Sequence, residues 1–197
     1  NVKEQIDRTA QATSALTASM ARMGHFTAGL LGLRELSQAA DAYGQYASRM
    51  RMATQDAAEF EQAQRRMLAS ANETYRGINE TRESFILMSP VLRQMGLSLD
   101  ESIDLLDTFS GLLVVNAASA ERGAQAQAAL AKALQMGRVD ADAWQTLLSA
   151  MPSVVGLLAE SSGMAEAEIR KLGISGKLSV EMLTQALVSG NEAVMAQ

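Results

Sequence analysis

Cysteine is absent from the 197 residues. That removes disulfides, thiolate zinc sites, cysteine nucleophiles and iron–sulfur clusters together. A single histidine, His25, leaves no His-pair metal motif. Long apolar runs are also missing. The most apolar stretch, Gly24 to Leu33, is interrupted by His25 and Thr27 and falls far short of the ~20 residues that cross a bilayer. No basic segment followed by an apolar one opens the chain, so no secretory signal is read there. Basic excess is lacking too: Lys and Arg number 17 against 22 Asp and Glu, a net charge of -5. General nucleic-acid binding needs the opposite balance, because phosphates must be neutralised. With only two prolines, little interrupts a helix.

What is present favours helix. There are 34 alanines, and hydrophobic residues make up 48% against 20% charged, enough to fold. The length suits one domain, or one domain with an extended arm. The chain opens on Asn1 rather than Met, so we expect a piece of a longer chain or a processed form. In the absence of a targeting signal an intracellular or assembly compartment is expected.

Residues 1–56 read as long amphipathic helices. Val2, Ile6, Thr9, Thr13, Leu16, Met20 and Met23 alternate spacings of four and three, which places them on one stripe. The pattern stops at Gly24 and resumes as Leu33, Leu36, Ala40, Tyr43, Ala47 and Met50. Two arms around a glycine-containing joint follow, either folded as a hairpin or continued as one helix. A coiled-coil seam and an ordinary amphipathic face both fit so few heptads.

Residues 57–197 read as a compact domain of short, capped helices. Ala57 to Tyr75 turns Phe60, Gln64, Met67, Leu68 and Ala71 to one side, Gly77 ends it, and Asn79 caps the next helix. That helix, Glu80 to Met88, stops where Ser89 and Pro90 restart the chain. Ser98 to Glu101 forms a capping box. The helix behind it, Asp100 to Val115, buries Ile103, Leu105, Leu106, Phe109, Leu112 and Leu113. Ser119 caps Ala120 to Met136, with Ala124, Ala128, Ala131 and Leu134 inward and Gly137 as the stop. Asp140 caps a helix carrying Trp144, Leu147 and Leu148. Met151 and Pro152 break the chain before Val154, Val155, Leu157 and Leu158, and Gly163 ends that turn. Met164 to Leu172 is closed by Gly173, and Ser179 caps a last helix with Met182, Leu183, Ala186 and Leu187 inward. No alternating strand of useful length appears, and Lys177 to Val180 is too short to count. The fold class is all-α.

Candidate chemistry is sparse. Asp100, Asp104 and Asp107 share a helix face beside Glu101; such spacing could hold a hard cation or an acid/base pair, but a solvated face favouring the helix N-terminus explains it more simply. Asp140 and Asp142 resemble the start of a calcium loop that lacks its glycine and distal Glu. Gly176-Lys177 resembles the end of a phosphate loop, yet Leu178 stands where Ser or Thr is required. Gly173 to Gly176 is no nucleophile elbow. His25 reads as a turn residue. The pairs Arg49/Arg51 and Arg65/Arg66 are flanked by Asp56, Glu59 and Glu61 and read as mixed-charge helix surface. Twelve methionines serve either as core filler or as an adaptable groove for helices. No catalytic, cofactor-binding or metal residue is named, and no cofactor is expected.

One ordered string stands out. Ala131-Lys132-Ala133-Leu134-Gln135-Met136-Gly137-Arg138-Val139-Asp140-Ala141-Asp142 is followed by Met151 to Val155, Leu158 to Gly163, Arg170 to Gly173 and Gly176-Lys177-Leu178-Ser179. Over about residues 57–190 this resembles the domain near the N-terminus of tail tape measure proteins of long-tailed bacteriophages and prophages. Where that family has an acidic residue after a glycine at the helix start, this chain has Asp140-Ala141-Asp142 with Trp144 beyond it. The resemblance implies a structural, non-enzymatic virion protein that sets tail length during assembly and occupies the tail lumen. It implies tail tube, tail tip or baseplate, and tail assembly chaperone proteins as partners; the heptad pattern adds self-association through helices, and the charge balance and short apolar runs leave no specific nucleic acid and no membrane in this segment as partners. It implies residence in the virion tail after assembly in the host bacterial cytoplasm. The compact part is expected to be an end module, or a piece bound by tail assembly chaperones and tail tip or tube proteins, rather than the ruler. A soluble α-helical adaptor or assembly chaperone is the competing reading, and an enzyme such as a muralytic one the weakest.

Overall fold

The computed structural model of the protein describes residues 44–73 and 78–196. The heptad positions up to Tyr43, His25 and Gly77 lie outside the described residues. Residues 44–53 are helical. They are followed by α1 (Ala57–Glu73), α2 (Ile78–Gln94), α3 (Leu99–Val115) and α4 (Ala120–Met136). Then come β1 (Arg138–Val139), α5 (Ala141–Ala150), α6 (Val154–Ser162), α7 (Glu166–Ile174), β2 (Leu178–Ser179), α8 (Val180–Ser189) and α9 (Asn191–Met195). Tyr46 to Gln197 form one compact unit. The all-α expectation holds, and the sheet among the described residues is a single two-residue pairing.

Helix α3 is the hub. It packs against α1, α2, α8 and α9, and its buried residues go all the way round: Ile103, Leu105, Leu106, Phe109, Leu112 and Leu113, as the sequence predicts, but also Ser102, Asp107, Thr108 and Gly111. A Cβ at Gly111 would stand 2.7 Å from Cγ1 of Val194, so the glycine is what lets α9 lie against the hub. The second layer is α4 on α5, with α5 and α8 leading on to α6 and α7. Trp144, Leu147, Val154, Val155, Leu158, Leu183 and Leu187 fill its core.

Four of the predicted caps are present. Ser98 and Glu101 form the reciprocal capping box of α3, and the side chains of Ser119, Asp140 and Ser179 accept from the third amide of α4, α5 and α8. Gly137 and Gly163 end α4 and α6 in the left-handed conformation.

Four local readings are corrected. First, α2 does not stop at Met88 but runs through Ser89 and Pro90 to Gln94, and it begins at Ile78, before Asn79. Pro90 costs the hydrogen bond to the Ile86 carbonyl. That carbonyl lies on the same side as exposed Pro90, while Phe85, Met88 and Leu92 carry one buried stripe across the break. Second, α4 is rotated from its predicted register. Ala124 and Ala128 are exposed and Ala131 half-buried, whereas Gly123, Ala126, Ala129, Leu130, Ala133 and Leu134 face inward. A helix with alanine on every side has too little contrast to fix its own rotation. Third, α7 does not close at Gly173. It continues to Ile174, and Gly176 is the left-handed stop, with the Lys177 amide donating to the Leu172 carbonyl and the Gly176 amide to that of Gly173. Fourth, Leu68 is 56% exposed rather than inward, and Leu148 and Met182 are only half-buried.

Candidate functional site

Each cluster that could have carried chemistry is occupied by structure. Asp100 and Asp104 take up Arg66 of α1, with Nη1 3.1 Å from Asp100 Oδ1 and Nη2 2.6 Å from Asp104 Oδ1. Gln62 donates to both Asp100 oxygens at 3.1 Å. Asp107 is buried and accepts from the Ser70 hydroxyl. Glu101 is spent on the cap, where hydrogen bonds from the backbone and then the side chain of Ser98 hold its carboxyl below the ordinary range. The three aspartates therefore face α1. Among the described residues no group of three acids or imidazoles is placed to hold a metal.

The same holds elsewhere. Arg49 makes a two-pronged pair with Glu83 at 2.7 Å on each arm. Arg51 stacks over Phe60, and Arg65 pairs with Glu61 one turn away. Lys132 donates to Asp140 at 2.8 Å. That bond comes first in lowering the Asp140 pKa, followed by the amide of Ala143, and it raises that of Lys132. Four methionines, Met50, Met67, Met88 and Met151, are core filler. Only Met52 and Met136 are strongly exposed among the described residues.

Two of the stretches that carry the family resemblance meet. Gly137-Arg138-Val139-Asp140 and Gly176-Lys177-Leu178-Ser179 have the same plan: a left-handed glycine, an exposed base, a buried apolar residue and an N-cap. They pair antiparallel, Arg138 opposite Ser179 and Val139 opposite Leu178. Two helix–stop–restart units thus clasp each other, and because the pairing is antiparallel α5 and α8 leave from its opposite ends. The sequence shows both units, but not that they touch. Trp144, one turn into α5, is fully buried, and its ring occupies the space that a Cβ on Gly173 of α7 would need. The "Arg-Lys-Leu-Gly" segment is thus a seat for the tryptophan.

The described residues also form an open cleft of about 730 Å³ lined by Leu113, Val114, Ala117, Ala118, Gly123 and Ala124 with Glu83 and Gln127 at its sides. No methionine lines it, so it is not the methionine groove that the composition allowed. None of the helices among the described residues is long and apolar enough to cross a membrane.

No curated protein and no solved structure matches the chain. A family model described as "Tape measure protein" matches residues 34–197, a span that takes in the hub, the clasp and every helix after the arms. The chain belongs to the tape measure protein family, structural proteins of the phage tail.

Proposed function

We propose that this chain works as the folded module of a tail-length-determining polypeptide that occupies the tail lumen, and that it contributes no catalysis. The observation that carries the reading is the family match over residues 34–197, joined to the fact that two of the family-like strings pair with each other and a third seats Trp144. We take residues 57–197 as the tape measure domain and 1–56 as helical arms leading into it, with Met50 and Ala53 packed into its core. Its partners are tail tube, tail tip or baseplate, and tail assembly chaperone proteins, with self-association through the arms. Assembly takes place in the host bacterial cytoplasm, and the end location is the virion tail.

The folded shape argues for a module rather than a ruler. The longest helices among the described residues have 17 residues, about 25 Å each, and they fold back on one another. Mass spectrometry of purified particles tests the reading. Peptides of this segment at a few copies per particle are expected. Their presence in the lysate but absence from particles overturns it in favour of the adaptor.

A further inference from the structure

Ionic contacts are distributed unevenly over this molecule. Residues 46–73 are tied to α2 and α3 by four ion pairs: Arg49–Glu83, Arg93–Glu59, Arg66–Asp100 and Arg66–Asp104. Hydrogen bonds from Gln62 to Asp100 and from Ser70 to Asp107 extend the α3 side, so that Gln62, Arg66 and Ser70, one turn apart, face Asp100, Asp104 and Asp107. Arg93 also donates to the Ala53 carbonyl at 3.0 Å. Further along, the ion pairs among the described residues are Lys132–Asp140, across one turn, and Arg170–Glu166, within α7. Those later helices hold together through large apolar side chains. The apolar side chains that residues 46–73 bury are few and mostly small by comparison: Met50, Ala53, Ala63, Met67 and Ala71, with Phe60 only half-buried and Leu68 outside.

We infer that residues 46–73 form a strap held on α2 and α3 by an ionic latch centred on Arg66, able to open while α3 to α9 stay packed. The asymmetry carries this. Partly exposed pairs are screened by salt, while apolar burial is not weakened by it. Arg66 is 37% exposed at its side chain and Arg49 47%, so ions reach them. Segments with few buried apolar contacts open below the global unfolding energy. An open strap uncovers the side of α2 that packs on α1, giving the chain a second face that the closed form hides.

Native-state hydrogen exchange on the whole chain tests the strap. Amides of α1 are expected to exchange about tenfold faster or more at about 1 M NaCl than at about 0.05 M, with α5 and α8 unchanged. Arg66→Gln at low salt should reproduce the faster exchange and blunt its salt response. Salt-independent α1 exchange overturns the proposal, as does α1 exchange that rises only in step with α5 and α8. Because Arg66→Gln can alter global stability, the salt series on the unaltered chain is the deciding arm.

Discussion

At the residue scale, two positions fix what the backbone tolerates. Gly173 lies under the Trp144 ring with no room for a methyl group. Gly173→Ala is expected to lower stability by at least about 2 kcal/mol, because either the indole leaves its seat or α7 shifts; urea denaturation measures it. Ala117 shows the converse. It ends α3 with a positive φ of 49°, its amide donating to the Val114 carbonyl and that of Ala118 to Leu113. This is the same double bond pattern that Gly96 and Gly176 make at the ends of α2 and α7. An alanine there bears a left-handed strain that glycine does not. Ala117→Gly is expected to raise the urea midpoint, by about 0.5–1 kcal/mol after glycine's extra chain entropy is offset. An unchanged or lowered midpoint refutes the strain argument.

At the scale of the element, the caps make acid the weak side. Glu101 and Asp140 titrate below their ordinary values of 4.5 and 3.8. A carboxyl lowered in the folded state contributes stability above its unfolded pKa and loses it as pH falls through the folded one. Lys132 runs the other way: raised above 10.5, it contributes fully below that value and fades as pH rises past it. The melting temperature should therefore drop between about pH 5 and pH 3. Asp140→Asn keeps a side-chain N-cap but gives up the Lys132 partner, so the acid drop should be shallower in that variant; an identical slope means the pair contributes nothing. Ser179→Ala removes only the α8 cap to Met182 and is expected to cost about 1 kcal/mol at neutral pH.

At the scale of the whole molecule, the folding-back of short helices makes a prediction about tails. If the domain is a module, deleting residues 141–190 from the phage gene should abolish or disorder tail assembly. It should not give tails shortened by ~1.5 Å per residue removed. Electron microscopy of particles decides it, and proportionally shorter tails would make this stretch part of the ruler itself.

Much of the architecture was legible beforehand because it is local. A serine or aspartate side chain reaches its own helix's third amide, and a left-handed glycine stops a helix, without help from distant residues. Hence the caps at Ser98, Ser119, Asp140 and Ser179, the stops at Gly137 and Gly163, and the burial along α3 could be read from the chain. Tertiary structure decided the rest. It carried α2 through Pro90, because a buried stripe on both sides outweighs one lost hydrogen bond. It chose the rotation of α4, where alanine on all faces leaves only the neighbours to choose. It paired Val139 with Leu178, two residues each being too few to form a strand without the other. And it gave the aspartates of α3 their role, since Arg66 and Ser70 lie more than 30 positions away and only packing brings them there.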